Sequence, residues 1–80
     1  MTTHTATAAL EAVARVREMA RTGRVAQILV EADVSDAEVA EVVGVDPSTV
    51  WLWRKGKTRP TGDRAVRFLH CLERLERVSA

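Results

Sequence analysis

The sequence predicts an all-α fold, a compact bundle of about five helices. Three observations carry that prediction. Apolar residues recur at helical spacing along nearly the whole chain, and no stretch sustains the alternation of a half-buried strand. Helix start and stop signals stand at Ser35, Gly44, Asp46-Pro47 and Gly56. The chain has 80 residues and is 46% apolar, which suits one small core in one domain. Only Trp51, Trp53 and Phe68 are aromatic, so Val, Leu, Ile and Ala must supply most of the core.

The elements follow in order. Residues 6–21 place Ala9, Val13, Val16 and Ala20 on one helical face, and Thr22-Gly23 is a weak breaker. Residues 24–32 place Val25, Ile28, Leu29 and Ala32 at i, i+3, i+4 and i+7, an amphipathic stripe. Ser35-Asp36-Ala37-Glu38 reads as a capping box, with the Ser35 hydroxyl accepting from the backbone N–H of residue 38 and Glu38 reaching back. A short helix over 36–43 follows. Gly44 ends it, because glycine enters the left-handed conformation cheaply. Asp46 is placed to cap the next helix, and Pro47 sits at its first position, where a missing N–H costs nothing. That helix runs to about Lys55 and stops at Gly56. Residues 57–60 form a basic loop. Thr61 is placed to cap a last helix over about 62–78, with Ala65, Val66, Leu69, Leu72, Leu75 and Val78 along it. The organisation expected is a helical extension over 1–22, a main unit over 23–72 and the end of the last helix over 73–80. Leu75 and Val78 have little domain left to bury against, which points to a dimer contact there.

Several functions are disfavoured. The lone cysteine, Cys71, has no intrachain partner and suits a reducing interior. No apolar run approaches the roughly 18 residues that span a bilayer, and the first residues lack the basic stretch of a signal peptide. A soluble cytoplasmic chain is expected, with no membrane contact. His4, His70 and Cys71 show no metal-ligand spacing, so no metal or cofactor is expected. Asp63 and Glu73 form no visible catalytic pair, and the chain is short for an enzyme with a substrate cleft.

Charge is informative through its distribution. The formal net charge is only +1, yet residues 23–46 sum to −5 and residues 47–68 to +5. Such a switch inside one small domain is either a pair of solvated faces or one face made for a polyanion. The basic segment adjoins the two short helices, whose turn contains a glycine, the pattern of a helix-turn-helix. The packing of such a pair needs a small residue at the crossing, supplied by Ala40, and a residue tolerant of positive φ in the turn, supplied by Gly44. Val39, Val43, Val45, Val50 and Trp53 would seal the crossing.

Residues Gly23 to Leu72, about 50 of the 80, resemble the phage repressor/Cro-type helix-turn-helix family, the XRE family. The stretch Val45-Asp-Pro-Ser-Thr-Val-Trp-Leu-Trp-Arg-Lys-Gly-Lys-Thr-Arg-Pro60 carries most of the resemblance. The resemblance implies a lambda-repressor-like domain, here with an extra N-terminal helix. It implies binding of double-stranded DNA, commonly as a homodimer on a pseudo-palindromic operator. The family's base-reading positions fall on Asp46, Pro47, Ser48, Trp51, Leu52 and Lys55. Its phosphate-contacting positions fall on the loop Lys57, Thr58 and Arg59, with Thr49 and Arg54 beside them. Asp36, at the start of the first short helix, would repel a phosphate. Pro47, Trp51 and Leu52 are apolar, suited either to thymine methyl groups or to a protein partner. The function expected is a small transcriptional regulator, a phage- or prophage-type repressor acting by operator occupancy. The alternatives are an antitoxin, whose partner would meet the N-terminal helix, and a protein-interaction module on the same fold.

Overall fold

In a computed structural model the backbone is described over residues 2–79 and the side chains over 7–78. His4 therefore lies outside the described side chains. The described residues form five helices and no strand: α1 (Thr2–Arg21), α2 (Arg24–Ala32), α3 (Asp36–Val43), α4 (Pro47–Arg54) and α5 (Gly62–Ser79). They enclose one core, built largely of Val, Ile, Leu and Ala, with Trp53 and Phe68 in tilted contact in it at 4.9 Å between ring centroids. The Cα radius of gyration is 11.9 Å, against about 11.6 Å for a compact chain of this length.

The amphipathic stripe of α2 is seen as expected, with Val25, Ile28 and Leu29 buried and Ala32 half-buried. Its end differs from a glycine stop. Asp33 adopts φ 56° and its N–H reaches the Val30 carbonyl at 3.1 Å, a left-handed cap that a short polar residue tolerates. The capping box on α3 is formed in both directions: the Glu38 N–H donates to Ser35 Oγ at 3.1 Å, and the Ser35 N–H to Glu38 Oε1 at 2.9 Å. Gly44 closes α3 at φ 88°, its N–H and that of Val45 both donating to the Ala40 carbonyl. Asp46 and Pro47 take the positions expected at the start of α4, but the Asp46 side chain makes no capping hydrogen bond.

Two expectations are corrected. The buried face of α1 is Ala12, Val16 and Met19, while Ala9, Val13 and Ala20 flank it half-buried. Val16 and Met19 belong to the central core, and α1 packs most extensively on α5. The helical extension over 1–22 thus contributes Val16 and Met19 to the same core as residues 23–72. Nor is Leu75 left over. It is half-buried against the core, close to where Arg24 of α2 donates to Glu76 at 2.7 Å. Val78 remains 80% exposed.

Candidate nucleic-acid interface

Helix α4 has two faces because 3.6 residues make a turn. Val50 and Trp53 point into the core. On the other side, Pro47, Ser48, Trp51 and Lys55 are exposed, with Leu52 half-buried beside them. Trp51 is 40% exposed against 4% for Trp53. The Lys55 ammonium lies 5.8 Å from the centre of the Trp51 ring, a cation–π contact at the surface. Asp46 is exposed at the start of the helix, and Thr49 is half-buried on its flank. The sealing positions behave as expected. Val39, Ala40, Val43, Val50 and Trp53 are buried, Val45 is half-buried against the core, and Gly44 holds the turn.

The basic loop is folded back on α4. The N–H groups of Lys57 and Thr58 donate to the Leu52 carbonyl at 2.9 and 3.4 Å, after Gly56 has turned the chain at φ 75°. Pro60 is fully buried and anchors the far end. Lys57, Thr58 and Arg59 between them are exposed. This is a fixed loop that presents its cations beside the exposed face of α4. Such charges supply sequence-independent affinity for a polyanion.

Arg54 is engaged within the chain. Its Nε donates to Asp36 Oδ1 at 3.1 Å and its Nη2 to Asp36 Oδ2 at 2.9 Å, a bidentate clasp between α4 and the first residue of α3. Both side chains are less than a quarter exposed. The hydrogen bonds from Arg54 to Asp36 push the Arg54 pKa up from its ordinary value. The Nε and Nη2 donors are thereby held within the chain. The same clasp answers the charge of Asp36, which faces an arginine of its own molecule.

The N-terminal helix also reaches this region, a placement that the sequence does not announce. An open groove of about 760 Å³ is lined by α1 on one side and by Lys55 to Pro60 on the other. Arg17 and Arg21 of α1 lie along it. The available signal is their i, i+4 spacing, which puts them on one stripe of the helix. Elsewhere, His70 is exposed and Cys71 half-buried, and no cluster among the described residues could hold a metal ion. Burial pushes the Cys71 thiol up from its usual range. No helix among the described residues is long and apolar enough to cross a membrane. Compared with protein families, with curated proteins and with solved structures, the chain matches none.

Proposed function

We propose that this chain is a sequence-specific duplex-DNA-binding transcriptional regulator of the phage repressor/Cro type, working as a homodimer that occupies an operator. The observation that carries the reading is the juxtaposition on α4 and its loop. An outward face of Asp46, Pro47, Ser48, Trp51, Leu52 and Lys55 adjoins a pinned loop that exposes Lys57, Thr58 and Arg59. In this reading the α4 face enters the major groove and reads base edges, while the loop lies along the phosphates. The Asp36–Arg54 clasp and the shared core residues of the two helices hold α3 against α4 and so set the angle at which the reading helix is presented. Val78, 80% exposed at the end of α5, supplies an apolar contact for the second copy. Sedimentation at micromolar concentration is expected to show about twice the 8.8 kDa of the chain.

The experiment is selection of bound sites from random duplex DNA, followed by titration of the selected and a scrambled duplex at several salt concentrations. Lys57→Ala or Arg59→Ala is expected to weaken both duplexes equally and to flatten the salt dependence by about 0.9 log units for each phosphate no longer neutralised. Ser48→Ala or Leu52→Ala is expected to cost roughly 1–3 kcal/mol on the selected site and to leave the scrambled one unchanged. The exposed Trp51 favours one rival reading, since an accessible indole is a common anchor for a protein partner. If Trp51→Ala leaves DNA discrimination untouched, the antitoxin or interaction-module reading takes precedence.

A further inference from the structure

The groove between α1 and the basic loop carries more charge than the fold needs. Its ionisable lining is Arg17, Glu18 and Arg21 on the α1 side, with Lys55, Lys57 and Arg59 opposite. Residues bearing five cations and one carboxylate thus line this concave surface. Glu18 is engaged by Arg21 on its own helix. The Arg17 side chain has no ion pair or hydrogen bond among the described residues, and the core-facing stripe of α1 is made by Ala12, Val16 and Met19. Like charges converging from segments some 35 residues apart in sequence repel one another, so this arrangement opposes folding rather than assisting it. A regularly charged polyanion laid along the groove would reverse the sign of that energy.

We infer that α1 is a second phosphate-binding element, with Arg17 as its principal contact, continuing the backbone track of the loop across the groove. The inference rests on the DNA-binding reading above and extends its footprint to the N-terminal helix. The uncharged residues on the α1 side, Ala14, Val16 and Ala20, are small or apolar and offer no hydrogen bonds to base edges, and Thr58 opposite belongs to the loop that this reading lays along the phosphates. The interaction is therefore sequence-independent. Glu18 moderates it by holding Arg21.

The test uses the full chain with the selected and scrambled duplexes. Arg17→Ala, and Arg17→Gln as a second variant, are expected to weaken both duplexes equally. The fall in affinity between 50 and 200 mM salt should shrink about 3.5-fold for the one phosphate left without its arginine. Glu18→Gln is expected to act in the opposite direction, tightening both duplexes and steepening the salt dependence. Melting temperatures should stay near that of the unmodified chain, because Arg17 and Glu18 are exposed. If Arg17 variants leave affinity and salt slope unchanged while Lys57→Ala and Arg59→Ala lower them, α1 lies off the DNA and the inference is overturned with the DNA-binding reading intact. A weakening confined to the selected duplex would make Arg17 a base reader and overturn its backbone role. Failure of the unmodified chain to bind any duplex would overturn both readings.

Discussion

Trp51 and Trp53 show how far two residues of one type can differ when they stand about 200° apart on a helix. Trp53 is 4% exposed and tilted against Phe68, and Trp51 is 40% exposed beneath Lys55. Trp53→Ala is expected to cost roughly 3–5 kcal/mol, enough to unfold much of so small a domain. Trp51→Ala is expected to leave the melting temperature nearly unchanged. Thermal melts of the two variants followed by circular dichroism check the helix phase directly, and the reverse order would contradict it. Asp36 poses a different question. Asp36→Asn removes the charge that holds Arg54, and is expected to cost about 1–2 kcal/mol. It also frees a guanidinium beside the proposed interface, so duplex affinity should rise as stability falls. Denaturant titration and DNA titration of the same variant separate the two effects.

At the scale of elements, the α3–α4 pair is the most legible part of the chain. Its signals are local: a side chain closing on a backbone group three residues away, a glycine at a sharp exit, a proline at an entry. Gly44 tests this. No neighbouring atom stands closer than 3.9 Å to a Cβ built there, so Gly44→Ala meets backbone strain and no collision. Left-handed φ costs an L-residue roughly 1–2 kcal/mol, and Gly44→Asn is expected to cost less than Gly44→Ala in equilibrium unfolding. The stripe of α1 is the least legible. The helix is rich in alanine, and small residues score as apolar on every face, so periodicity alone leaves Ala12 and Met19 unmarked. The Asp36–Arg54 clasp is not legible because its partners lie 18 residues apart and meet only once two helices have packed. Asp46 stands at the position expected, but whether a carboxylate turns back to cap depends on a side-chain rotation that sequence does not specify. The candidate reading face is legible through the phase of α4. The groove is not, since its walls belong to elements joined only by the tertiary fold.

At the scale of the whole molecule, the core is shared by all the helices. Val16 and Met19 come from α1, Phe68 and Leu72 from α5, and the remainder from α2, α3 and α4. A fragment covering 23–80 would uncover the α5 face on which α1 packs. Domains of this size have little stability in reserve, so the fragment is expected to lose the cooperative thermal transition of the full chain. A fragment that melted as sharply and at the same temperature would show that α1 is an extension the rest of the fold does not need. The two indoles have a further consequence at this scale. The chain holds no tyrosine and no third tryptophan, so nearly all its near-ultraviolet emission originates on α4. Trp53 emits from a dry interior until the core opens, and Trp51 from a wet surface until something covers it. Folding and occupancy thus have separate optical signatures, carried on one helix by the unlabelled protein.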